Sequence, residues 1–130
     1  MRVWGCLFGC FFLLLPVSAS ASDLPSGQSV TLLEVRQDEL GAETWLRFRF
    51  VAPELGAAEA PITYGEAEAD MAVLCRDVAL PYMAEHQLNA GRIVISLSEK
   101  PIDFGVSDAS VIQFFDGFRV ENNRCIWEGL

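Results

Sequence analysis

The sequence predicts an α+β domain of two layers. A small antiparallel or mixed sheet is covered on one face by a long helix and a short helix, and one disulfide staples the layers. Three observations carry this expectation. Within residues 64–87, Ala67, Met71, Leu74, Cys75, Val78 and Tyr82 fall at i, i+4, i+7, i+8, i+11 and i+15, which is one face of a helix. Elsewhere short alternating runs are broken by Gly, Pro, Asn and Asp, as in half-buried strands. Two cysteines, Cys75 and Cys125, remain once an N-terminal leader is set aside.

Residues 1–21 read as a signal peptide. Arg2 is a minimal basic region, residues 3–15 form an almost unbroken apolar run, and Ala19-Ser20-Ala21 fits the A-x-A cleavage pattern, with the cut after Ala21. The run of 13 apolar residues is shorter than the roughly 20 needed to span a bilayer, so no membrane span is expected after cleavage. Leu7-Phe8-Gly9-Cys10 outlines a lipoprotein box but lies too near the start for an apolar run to precede it. Residues 22–130 then form a single α+β domain.

The whole chain has 9 basic and 18 acidic residues, a net charge of −9, and the leader holds one of the bases and none of the acids. Such an acidic chain is a poor partner for nucleic acid or an anionic membrane, whose phosphates repel it. Cys6 and Cys10 leave with the leader. The remaining pair, Cys75 and Cys125, reads as a disulfide in an oxidising compartment, with two free buried thiols as the alternative. Closing a loop of about 50 residues is worth about 4 kcal/mol by loop entropy.

In chain order, residues 22–28 read as a flexible lead-in. Residues 29–36 and 44–51 alternate about the turn residues Asp38, Glu39, Leu40 and Gly41, which predicts an antiparallel hairpin. Pairing through a four-residue turn sets Val35 opposite Thr44, Leu33 opposite Leu46 and Thr31 opposite Phe48. Leu46, Phe48 and Phe50 then face the core, while Leu32, Trp45, Arg47 and Arg49 face outward. Residues 53–63 form a linker. Thr63 is a helix N-cap with Glu66 as its capping-box partner, and Pro81 predicts a break followed by a short helical piece to His86. Residues 92–98 read as a strand with Ile93, Ile95 and Leu97 on one side, and residues 102–105 as a candidate return strand. Ser107 and Asp108 would cap a short amphipathic helix to Phe118, and residues 124–128 a last strand carrying Cys125 and Trp127.

Catalytic signatures are weak. His86 is the single histidine, and it lies eleven residues from Cys75, about 16 Å along a helix and far beyond hydrogen-bond reach. No Gly-x-Ser-x-Gly elbow, Ser-x-x-Lys pair, phosphate loop or Cys-x-x-Cys occurs. Glu66, Glu68 and Asp70 read as compensation of the helix dipole rather than a metal site, so no metal, cofactor or catalytic residue is assigned. The outward cluster Leu32, Trp45, Arg47 and Arg49 is the candidate partner surface, since Trp and Arg are over-represented where proteins bind each other. The alternative is that these residues are covered or simply solvated.

The stretches Glu-Val-Arg-Gln-Asp-Glu (34–39), Trp-Leu-Arg-Phe-Arg-Phe-Val-Ala-Pro (45–53), Phe-Gly-Val-Ser-Asp (104–108) and Cys-Ile-Trp-Glu-Gly (125–129) are joined by Asp-Met with Leu-Cys (70–75), Val-Ile-Ser-Leu-Ser (94–98) and Gln-Phe-Phe (113–115). Together they resemble a family of small exported alphaproteobacterial proteins known only as a domain of unknown function. The resemblance implies a Gram-negative setting and hence a periplasmic or secreted protein, and it transfers no activity. The expected function is a small binding or accessory protein of the bacterial envelope, with an envelope protein or a small anion as partner. A small periplasmic hydrolase or metal-dependent enzyme with a dispersed site including His86, and a structural component of an envelope complex, are the alternatives.

Overall fold

The computed structural model describes residues 20–21 and 23–130. The signal-peptide reading therefore lies outside the described residues, apart from the backbone of Ser20 and Ala21. The strands are β1 (Ser20–Ala21), β2 (Val30–Leu40), β3 (Glu43–Val51), β4 (Arg92–Ser98), β5 (Gln113–Glu121) and β6 (Arg124–Trp127). They lie in the sheet in chain order, and every pairing is antiparallel except β3 with β4. A parallel pair needs a long crossover, and here it contains a 3-10 turn (Pro53–Gly56) and a helix. The helix comprises α1 (Tyr64–Leu74), a π segment (Cys75–Ala79) and α2 (Leu80–Glu85).

This overturns the expected α+β, two-layer arrangement with two covering helices. The molecule is mostly a five-strand mixed sheet, extended at one edge by the two residues of β1, with one helix of 22 residues and a short 3-10 turn. The segment expected to be a short helix, ending at Phe118, instead supplies β5. In β5, Phe114, Phe118 and Val120 pack against the core side, while Phe115 is exposed and Gln113 and Arg119 are half-buried. Their period is 2, but buried Asp116 takes a place in the apolar row and hides it. Its carboxylate accepts hydrogen bonds from Trp127 Nε1 (2.9 and 3.0 Å) and Gly117 N (3.0 Å), which lets a charge sit there. Residues 102–105 form no return strand and belong to the loop between β4 and β5.

The hairpin forms with a different register. β2 runs on through Asp38 and Glu39 to Leu40, and the turn is only Gly41 and Ala42, with Gly41 at φ +68°. Leu40 pairs with Glu43, Arg36 with Arg47 and Val35 with Phe48. A bulge between Leu32 and Glu34 then inserts one extra residue, so that Leu32 pairs with Phe50. The bulge reverses the facing of every residue before it, and Leu32 turns to the core side.

The helix begins as its residues dictate. Thr63 accepts a hydrogen bond from Glu66 N (3.2 Å), and Glu66 accepts one from Thr63 N (2.9 Å), completing a capping box. Pro81 does not break the helix. It lacks an N–H, and the π segment just before it, where Leu80 N bonds Cys75 O, absorbs the mismatch. The extra residue rotates the buried face, so Ala79, Leu80 and Met83 go inward while Val78 and Tyr82 are only half-buried. The core joins Met71, Leu74 and Cys75 of the helix to Leu46, Phe48 and Phe50 of β3, and to Ile93, Ile95 and Leu97 of β4.

Two cross-links complete the fold. Cys75 and Cys125 form a disulfide with their Cα atoms 6.3 Å apart, tying the helix to the edge strand β6. The lead-in, expected to be flexible, is pinned by Asp70. This fully buried carboxylate accepts from Ser26 N (3.0 Å), Ser26 Oγ (2.5 Å) and Gln28 Nε2 (2.7 Å). No described helix is long and apolar enough to cross a membrane.

Candidate functional site

Alternation gives the sheet a second face, turned away from the helix. Arg36 of β2, Trp45, Arg47 and Arg49 of β3, Arg92, Val94 and Ser96 of β4, and Phe115 and Arg119 of β5 stand on it. Register sets them in rows: Trp45, Arg92 and Arg119 lie across neighbouring strands, then Arg47 and Val94, then Arg49, Ser96 and Phe115. Five of the nine basic residues of an acidic chain thus share one face.

Carboxylates and aromatic rings hold these guanidinium groups. Arg47 Nε donates to Asp38 Oδ2 at 2.7 Å, and Arg36 Nη1 to Glu34 at 3.3 Å. Arg49 is nearly buried. It pairs with Glu34 and donates to Ile102 O at 2.6 Å, fastening the loop of residues 99–112 over the face. Phe104 of that loop lies 4.2 Å from the Arg36 guanidinium, 5.6 Å from that of Arg49 and 5.7 Å from that of Arg47. Trp45 lies 4.8 Å from Arg92 and 5.5 Å from Arg47. At the far end Arg92 and Arg119 share Glu128. Hydrogen bonds to Glu121 first, and then to Glu128, hold Arg119 above the ordinary guanidinium value.

Beside this ladder is an apolar strip. Val106 is 51% and Phe115 46% exposed, although neighbouring Val94 and Ser96 are buried. The strip and the arginines border a cavity of about 330 Å³ under the loop. A second hollow, of about 480 Å³, lies on the other side of Phe104 and Arg49.

Of the predicted surface, the structure brings Trp45, Arg47 and Arg49 together. Leu32 is on the opposite face, where it borders a groove with Val78, Pro81 and Tyr82 of the helix. Sequence reasoning missed Arg92, Arg119, Phe104 and Phe115 as members of the same face. Arg92 was within reach, because it alternates with Ile93, Ile95 and Leu97. Phe104 was not, since a loop's path over a sheet leaves no periodic trace.

His86 sits at the helix end, stacked on Tyr82 with ring centroids 4.1 Å apart, and its Nδ1 is 3.0 Å from Tyr82 O. Cys75, in the disulfide, offers it no thiol. Among the described residues no group of three or more His, Cys, Asp or Glu side chains is placed to hold a metal ion.

No curated protein and no solved structure matches the chain. Residues 12–130 match the family of unknown function DUF6497, so the chain belongs to that family.

Proposed function

We propose that this chain is an exported binding or accessory protein of the bacterial envelope, working in the periplasm after removal of residues 1–21. The observation that carries the reading is the partly covered sheet face, where Arg47 and exposed Phe115 border a hollow with exposed Phe104 and Val106 of the loop. Apolar rings among guanidinium groups are the composition of protein-binding surfaces, and an enclosed polar centre is what a catalyst would need instead. The leader pattern and the Cys75–Cys125 disulfide support an oxidising compartment. The family resemblance makes an alphaproteobacterial periplasm the natural setting.

The test compares affinity capture from an envelope extract by the wild-type chain, by Phe115→Asp on the open face, and by Arg76→Glu on the helix. The reading expects envelope proteins that Phe115→Asp loses and Arg76→Glu retains. Identical captures from all three chains would remove the open face as a binding surface. Mass spectrometry of the protein purified from a periplasmic fraction should show a chain beginning at Ser22.

A further inference from the structure

The 330 Å³ cavity beneath the loop of residues 99–112 has an uneven polar lining. Arg49, which is nearly buried, has both Nη groups engaged, one by Glu34 and the other by Ile102 O. Arg47 is different. Its Nε bonds Asp38, but its Nη groups meet no acceptor among the described residues. Asp103, on the loop between this cavity and the neighbouring 480 Å³ hollow, lines both, is exposed, and its carboxylate meets no donor among the described residues. The two do not pair with each other. A cation with open donors and an anion with open lone pairs therefore border one small hollow.

The rest of the lining is apolar or neutral. Val94, Val106 and Phe115 form an apolar wall, and Ser96 and Gln113 add neutral polar groups. The volume is near the bottom of the 300–1,000 Å³ range of small-molecule sites. That is too little for a long acyl chain. A purely anionic ligand would meet Asp103, and a purely cationic one Arg47. A small zwitterion carrying an apolar group satisfies both charges and the wall together.

We propose that this cavity binds a free α-amino acid with an apolar side chain. Its carboxylate is held by the Nη groups of Arg47 and its ammonium by Asp103, while its side chain lies against Val94, Val106 and Phe115. Arg49 is a positioning residue, keeping the loop and Asp103 in place through Ile102. The inference rests on the open face being a binding surface, and it names what enters the cavity within that face.

The experiment is calorimetric titration of the purified protein with L-leucine, with leucinamide, which lacks the carboxylate, and with 4-methylpentanoate, which lacks the ammonium. The inference expects saturable binding of leucine and at least tenfold weaker binding of each analogue. Asp103→Asn should erase the preference for leucine over 4-methylpentanoate, and Arg47→Met the preference for leucine over leucinamide. Asp103 is on an exposed loop, so its variant remains informative even if Arg47→Met folds poorly. Absence of saturable leucine binding, equal binding of the three compounds, or preferences unchanged in Asp103→Asn would each overturn the proposal. If capture by the open face survives while leucine does not bind, only the amino-acid site falls.

Discussion

Asp70 is the residue on which the N-terminal part of the domain depends. It lies on the buried side of the helix, where an unpaired carboxylate would be costly, and three donors from Ser26 and Gln28 make the position tenable. Asp70→Ala strands those donors and should cost about 3 kcal/mol, read as a fall in the urea midpoint at unchanged slope. Asp108 illustrates the exposed case. Hydrogen bonds from Ser110 Oγ first, and then from Ser110 N, hold its carboxyl below the ordinary 3.8. A lowered folded value means a stabilising contribution that is present above that ordinary value and is lost as pH falls through the folded one. Carboxyl NMR should place the Asp108 midpoint below 3.8, and Ser110→Ala should move it back up. The Asp108 contact spans two residues, whereas the Asp70 contacts join distant parts of the chain and could not be read beforehand. Asp70 looked like a dipole-compensating acid because its partners lie more than forty residues away.

Elements whose information is local were legible. The capping box at Thr63 and Glu66 and the alternation over residues 92–98 need only neighbours along the chain, and both form as expected. Elements decided by distant packing were not. Residues 113–121 carry enough aromatic side chains for a helix face, but β4 offers an unpaired edge and Trp127 offers a donor to Asp116, so a strand forms. Within that strand Gly117 is required. A Cβ there would lie 2.7 Å from Gly129 O, and Gly117 O accepts from both Glu128 N and Gly129 N. Gly117→Ala should therefore loosen the C-terminal turn and speed amide exchange at Glu128 and Gly129 relative to the core strands. The disulfide acts on the same region. It joins residues 50 apart in sequence and holds four-residue β6 to the helix. The Cys75→Ala, Cys125→Ala double variant should lose about 4 kcal/mol in urea denaturation, with added reductant shifting the wild type in the same direction.

At the scale of the molecule the helix covers one side of the sheet, and the loop of residues 99–112 covers only part of the other. Because Phe115 stays 46% exposed at the edge of that loop, Phe115→Asp should cost much less folding stability than Phe118→Ala, which in the core should cost about 3–5 kcal/mol. Comparing their denaturation midpoints separates a surface kept for binding from one kept for folding. Trp45, Arg47 and Arg49 were readable as a cluster because residues two apart on a strand must share a face. Leu32 was misplaced because a single bulge reverses that parity, and nothing in the residues around Leu33 announces it. The sequence by itself determined the helix start, the strand at residues 92–98, the inward row of β3 and the two cysteines available to pair, since each rests on spacing between near neighbours. Only the tertiary structure decided the register of the hairpin, the strand that replaced the second helix and the path of Phe104 over the arginines, because each is a competition between partners far apart in the chain.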